Sequence, residues 1–285
     1  MSTLWVGTSW KMTKTLAEAR AWATGLRDHL GGTASGGAAS DGPTRDGAAS
    51  DATRNDGTSG GTAPSGVQPF VIPSFTATTT VAEVLGEDSP VLLGVQNAHW
   101  EDAGAWTGEV SVPQAQDAGA QMVEIGHSER REHFGETVET TRWKVAAALR
   151  HGMTPLLCIG ESAEVKEAGG SSAFILEQAA GALEGLDDAE LSRVVIAYEP
   201  IWAIGEAGRP ATTEELIEPF SALGGVCSGK VAGLLYGGSV NLDNAADLLG
   251  IEHVSGLFVG RTAWRLEGYL ELLRIAEEHA AGRRV

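Results

Sequence analysis

The sequence predicts an α/β protein built as one closed (β/α)₈ barrel. Eight short apolar runs recur along the chain, and segments with helical periodicity separate them. Each run ends in polar, glycine or proline residues, as parallel strands buried on both faces do where they meet solvent. The length of 285 residues, with 42% hydrophobic content, suits such a barrel as a single domain.

In chain order the strands are expected at Thr3–Thr8, Gln68–Pro73, Pro90–Gln96, Gln121–Gly126, Thr154–Ile159, Arg193–Glu199, Val231–Tyr236 and Ser255–Gly260. Thr15–Leu30 reads as an amphipathic helix after the first strand. Glu136–His151 carries Val138, Val145, Ala146 and Leu149 at helical spacing, the side chains expected in the core. Trp264–Ala281 closes the chain as a last helix. Eight strand–helix units call for a closed sheet.

Residues 31–66 differ in kind. Gly, Ala, Ser, Thr and Asp dominate, and Ala38–Gly47 (AASDGPTRDG) is echoed by Ala48–Gly57 (AASDATRNDG). With few large apolar side chains, this stretch cannot offset its ordering entropy and is expected to be a disordered insertion. It follows the first helix and precedes the second strand, which puts it at the face of a barrel opposite the active site. It should be dispensable for catalysis.

A formal charge of −18 with no basic stretch argues against nucleic acid and acidic membranes as partners. An anionic substrate must therefore find positive potential in a local site. Cys158 and Cys227 are far apart and outside any two-cysteine ligand spacing, so neither a disulfide framework nor a zinc site is indicated. The start, Met1 to Gly7, lacks a basic region and a long apolar run, and no later segment reaches membrane-spanning length. A soluble, cytoplasmic protein is expected.

Residues capable of chemistry cluster just after strands, where a barrel builds its site: Lys11, His127, Glu199, Gly237-Gly238-Ser239 and Gly260-Arg261. A carboxylate can take a proton from carbon beside a carbonyl, a neutral imidazole can polarise the carbonyl oxygen, and an ammonium can stabilise the enediolate. Glycines beside Ser or a helix start leave backbone N–H groups free for a phosphate. Together these make a proton-transfer isomerase that needs neither metal nor coenzyme. Singly they say less: Lys11 reads as a surface charge, Glu199 before Pro200 as a strand-end cap, and His127 as a structural histidine.

Several motifs resemble the triosephosphate isomerase family, in family order. They are Trp10-Lys11-Met12, Gln96-Asn97, Gly104–Glu109 (GAWTGE), Gly126–Arg131 (GHSERR), Cys158–Glu161 (CIGE), Ala197–Gly205 (AYEPIWAIG) and Tyr236–Val240 (YGGSV). They span the chain apart from the insertion. The resemblance implies a TIM barrel, with Glu199 as the base, His127 as the neutral electrophile and Lys11 as the nearby positive charge. It makes Glu129 either a second acid at the site or an ion-pair partner for Lys11. Pro200 to Ala211 would be a lid, and Gly205, Ser239 and Gly260 would offer N–H groups to the phosphate. Thr107 would reach into a partner subunit's site, so a homodimer is implied, with a small phosphorylated sugar as substrate and no cofactor.

The chain departs from the family in four places. Ser9 and Thr13 stand where asparagines are usual, the second half of the lid is altered, and Arg261 replaces a phosphate-loop glycine. Arg261 either grips phosphate with its guanidinium or turns away to an acidic neighbour. These changes surround the substrate and spare Lys11, His127 and Glu199, so altered specificity follows. Isomerisation of triose phosphates is the first expectation. The alternative is the same proton shuttle on an erythrulose phosphate, for which the smaller Ser9 leaves room. A catalytically silent phosphate-binding barrel is a third reading.

Overall fold

The structure, a computed structural model, describes residues 3–34, 66–205 and 208–283. Residues 35–65, which hold most of the expected insertion and its quasi-repeat, lie outside the described residues. In chain order the elements are β1 (Leu4–Ser9), α1 (Leu16–Ala34), β2 (Val67–Ile72), α2 (Thr78–Leu85), β3 (Leu92–Val95), α3 (Val112–Asp117) and β4 (Met122–Ile125). Then come α4 (Ser128–Phe134), α5 (Val138–Arg150), β5 (Thr154–Ile159), α6 (Ala163–Glu167), α7 (Ser171–Ala182), α8 (Asp188–Leu191) and β6 (Val195–Tyr198). The chain ends with α9 (Thr213–Cys227), β7 (Gly233–Tyr236), α10 (Ala245–Leu249), β8 (Gly256–Val259), α11 (Arg261–Trp264) and α12 (Leu266–Gly282).

The strands run parallel in sequence order, and β1 pairs with β8 through Trp5↔Gly256 to close the barrel. Alternation then sends one set of side chains inward and the other out under the helices. Trp5, Phe70, Ile72, Met122, Leu156, Cys158, Val195, Ala197, Leu235 and Phe258 form the inner cluster. Val6, Val71, Val123, Leu157 and Ile196 join the larger outer cluster with α1, α5, α9 and α12. Phe70 stacks on Phe258 with ring centroids 5.7 Å apart, and burying each such ring contributes about 1.5–3 kcal/mol. Capping boxes at Ser111/Gln114, Thr137/Thr140, Asp187/Glu190 and Thr212/Glu215 fix where α3, α5, α8 and α9 begin.

The (β/α)₈ expectation holds, and the elements differ at their ends. Helix α1 continues through residues 31–34, the first four of the stretch expected to form the insertion. The third strand pairs only over Leu92–Val95, within the expected 90–96. Helix α5 starts after Thr137, which caps it, leaving Glu136 outside the helix. Ala146 faces solvent instead of the core, while Ala147 and Ala148 take the buried positions. The closing helix is broken at Arg265, whose extended backbone (φ −89, ψ 136) separates α11 from α12. Both cysteines are buried free thiols. Among the described residues no helix is long and apolar enough to cross a membrane.

Candidate active site

Side chains from the C-terminal ends of β1, β4, β6, β7 and β8 converge on one cavity of about 550 Å³. Ser9, Lys11, His127, Glu129, Glu199, Gly205, Ser239, Gly260 and Arg261 all line it. Thr107 is not among them. It is exposed on the loop between β3 and α3, beside a separate surface hollow that also takes in His99 and Trp106.

The turn after β4 is fixed from behind. Gly126 has φ +77, a left-handed conformation that glycine adopts without strain, and its N–H donates to Glu136 Oε1 at 2.8 Å. Glu136 Oε2 also accepts from Arg130 Nε and Lys144 Nζ, both at 2.8 Å. Burial pushes the Glu136 carboxyl up, but Lys144 and Arg130 more than offset this and hold it below the usual carboxylate range.

His127 therefore emerges from a rigid corner. It caps α4, its Nδ1 accepting from the Glu129 N–H at 3.2 Å. A nitrogen that accepts an N–H keeps its lone pair, so the neutral ring carries its proton on Nε2, the atom facing the cavity. That Nε2 lies 3.8 Å from Glu199 Oε2, and the two residues are only 5% and 4% exposed. Glu199 Oε2 has no hydrogen-bond partner among the described residues. The carboxyl is packed tightly, for a Cβ on Gly237 would come within 2.6 Å of Glu199 Cγ.

Lys11 sits in a left-handed conformation (φ 51), its carbonyl accepting from Gln96 Nε2 at 2.9 Å. Its Nζ donates to Glu129 Oε1 at 2.6 Å, the ion-pair arrangement of the two open for Glu129. Burial opposes the charge on Glu129, but Lys11 and His127 keep its carboxyl below the usual range. Thr13, by contrast, turns back to the Trp10 carbonyl at 2.7 Å.

At the opposite wall, Arg261 Nη2 donates to the Gly205 carbonyl at 3.1 Å, and Ser239 Oγ donates to the Ala203 carbonyl at 2.7 Å. Both tie the segment after β6 to the loops after β7 and β8. Its second half is anchored too: Arg209 grips Glu215 at 2.8 and 2.6 Å and lies over the Trp202 ring. Trp202 Nε1 donates to Glu161 Oε1 at 2.9 Å. Glu206 and Ala207 lie outside the described residues. Among the described residues no group of three or more His, Cys, Asp or Glu side chains is placed to hold a metal ion.

One charged residue escaped the sequence reading. Glu124 on β4 is 3% exposed, inside the barrel, and burial pushes its carboxyl up to about 7. His127 pulls it back down, Glu199 pushes it up again, and Ser9 and Lys11 lower it by smaller amounts. The signal was present: in Met122-Val123-Glu124-Ile125, a period of two puts Glu124 on the same face as Met122.

This barrel and site define a chain of the triosephosphate isomerase family. The sequence matches that family over residues 48–276, and the chain belongs to it. It is 64% identical to L-erythrulose-1-phosphate isomerase of Mycolicibacterium smegmatis, over 97% of this chain and 94% of that protein. It is 45% identical to the Brucella abortus protein of the same name, over 96% of each. The crystal structure of triosephosphate isomerase from Bartonella henselae is similar with a TM-score of 0.73 and 28% identity, covering 96% of this chain and 99% of that one. The protein is a sugar-phosphate isomerase of this family.

Proposed function

We propose that the chain isomerises a four-carbon ketose phosphate, L-erythrulose 1-phosphate, by proton transfer through an enediolate, as a cytoplasmic enzyme. The observation that carries the chemistry is the buried pair His127 and Glu199, 3.8 Å apart on one cavity, with Glu199 Oε2 unpartnered. The relatives at 64% and 45% identity favour the four-carbon substrate over triose phosphates. Ser9, small and lining the cavity, supports the same choice.

In a ketose phosphorylated on C1, the neighbour of the carbonyl that carries both hydrogen and hydroxyl is C3. Glu199 takes the C3 proton, and the electron pair moves into a C2–C3 double bond with charge on O2. The His127 Nε2–H and the Lys11 ammonium stabilise that oxygen. Transfer of the hydroxyl proton from O3 to O2, by way of the imidazole, shifts the negative charge to O3. Return of the carbon proton from Glu199 to C2 then leaves the carbonyl at C3. The product is a second ketose with its phosphate on C4, so the reaction joins two ketoses, unlike the aldose–ketose exchange of trioses. Backbone N–H groups of Gly205, Ser239 and Gly260, with the Arg261 guanidinium, hold the phosphate. Thr107 serves the site of a second subunit in a homodimer.

The test compares kcat/KM for L-erythrulose 1-phosphate and dihydroxyacetone phosphate on the purified chain. A preference for the four-carbon substrate is expected. A pocket that distinguishes one small group supplies about 1–3 kcal/mol of discrimination. A preference of a hundredfold or more for the triose would overturn the assignment.

A further inference from the structure

Trp264 lines the active-site cavity with Ser9, Lys11 and Arg261, and the proton transfer gives it no task. Two of its polar groups reach the segment that carries Lys11. The indole Nε1 donates to the Ser9 carbonyl at 2.9 Å, two residues before the lysine. The Trp264 carbonyl accepts from Lys14 Nζ, three residues after it, and that ammonium also lies over the Trp10 ring, 5.2 Å from its centroid. One residue of α11 thus grips the chain on both sides of Lys11.

Strand geometry explains why an indole is needed there. Along β1 alternate residues bond to opposite neighbours: the Trp5 N–H donates to Ser255 on the β8 side, and the Trp10 N–H donates to Ile72 on the β2 side. Ser9, four residues on from Trp5, therefore turns its carbonyl toward β8. The β1–β8 register ends at Thr8↔Val259 and β8 itself ends at Val259, so a side chain satisfies the acceptor that the ladder leaves open. Lys11 then stands beyond the sheet at φ 51, a conformation that persists in a lysine where its surroundings over-determine it. Gln96 holds the Lys11 carbonyl from the end of β3, and Trp264 supplies the hold from the β8 side. Arg261, three residues earlier on the same short helix, reaches Gly205 at the wall proposed to hold the phosphate.

We propose that Trp264 is a positioning residue for the reaction, fixing the corner from Ser9 to Lys11 so that the ammonium meets the substrate oxygen where the enediolate charge develops. The inference rests on the role given to Lys11 in the reading above, and not on the length of the sugar. Trp264 acts through Lys11 and transfers no proton. Stabilisation of developing charge depends on a cation held in place before the reaction begins, and a long flexible side chain needs a fixed backbone to be so held.

The experiment is a double-mutant cycle on the full chain, with kcat for L-erythrulose 1-phosphate as the readout. Trp264→Phe keeps an aromatic ring and the backbone carbonyl but removes the N–H donor. It should lower kcat by about tenfold, part of the roughly hundredfold that a misplacement near 1 Å can cost. In a Lys11→Arg background, where the charge is already displaced, the same substitution should cost about twofold or less, because residues that act as a unit are not additive. A merely structural role would take the same factor from both backgrounds, so an equal loss in the two, or no loss in the chain with Lys11, overturns the proposal. If Trp264→Phe does not fold by circular dichroism, Lys14→Met removes the other anchor and decides by the same cycle. A wild-type chain that turns over dihydroxyacetone phosphate but not L-erythrulose 1-phosphate overturns the substrate assignment alone, and the cycle is then read on the triose. A wild-type chain inactive on both overturns the functional reading and this inference with it.

Discussion

Glu136 and Glu199 are both buried near the C-terminal rim of the barrel, yet one has donors on both oxygens and the other leaves one oxygen without a partner among the described residues. Glu136 accepts from the Gly126 N–H, Arg130 and Lys144, while Glu199 Oε2 accepts from no described group. A saturated carboxylate gains nothing by taking a proton, because protonation would break hydrogen bonds already made. An oxygen without a partner has no such bond to break. Glu136 is thus placed to hold the site, whereas Glu199, packed close against Gly237, keeps an oxygen available for the proposed proton transfer.

The contrast can be broken most sharply at Glu199. Glu199→Asp retracts the carboxylate by one methylene and should lower kcat by about a hundred- to ten-thousandfold, with KM nearly unchanged and melting temperature preserved. Steady-state kinetics beside a thermal melt would check it; loss of affinity with intact kcat would remove Glu199 from its role.

Glu136→Gln should do the reverse and act first on stability. It leaves Lys144 buried without its counter-charge, a loss on the order of 3–5 kcal/mol measured by denaturant unfolding. The wild type carries a matching pH dependence. Because the folded-state carboxyl lies below its ordinary value of 4.5, its contribution is complete above that value and fades as pH falls through the lowered one. Acid unfolding of wild type and Glu136→Gln should therefore converge at low pH.

A smaller effect is expected at the exposed Arg261. Arg261→Gly should raise KM for the phosphorylated substrate by about tenfold, with kcat less affected, since a solvent-facing charge is partly screened. An unchanged KM would mean that the guanidinium serves only the Gly205 carbonyl. The smallest effect belongs to the insertion. Gly66 accepts from the Leu4 N–H at 3.1 Å, so the chain re-enters at the N-terminal rim, away from the cavity. Replacing residues 35–65 with a short Gly-Ser linker should leave kcat/KM within about twofold of wild type.

Much of this was legible in the amino-acid order. Parallel strands buried on both faces announce themselves as apolar runs, and the residues just past their ends, Lys11, His127 and Glu199, do share one cavity. What stayed hidden depends on where side chains point. The role of Glu136 needs the fold to bring Lys144 and Gly126 to its two oxygens. Glu124 is signalled by its period of two with Met122, but which face of β4 is the interior becomes clear only on closure of the barrel. Thr107 can be named from a motif, but one chain alone does not bring it to a site. The break at Arg265 has no proline to mark it, and Gly268, which lets the start of α12 pack against Thr262, reads in the sequence as an ordinary helix glycine.

Lys11 carries a further consequence through its backbone. A lysine held at φ 51 forfeits about 1–2 kcal/mol that a glycine in its place would keep. Engineering for heat tolerance alone would therefore favour glycine here and, on the proposed mechanism, deliver a sturdier but inert barrel. The ammonium proposed to steady an enediolate is maintained against the thermodynamic preference of its own peptide unit.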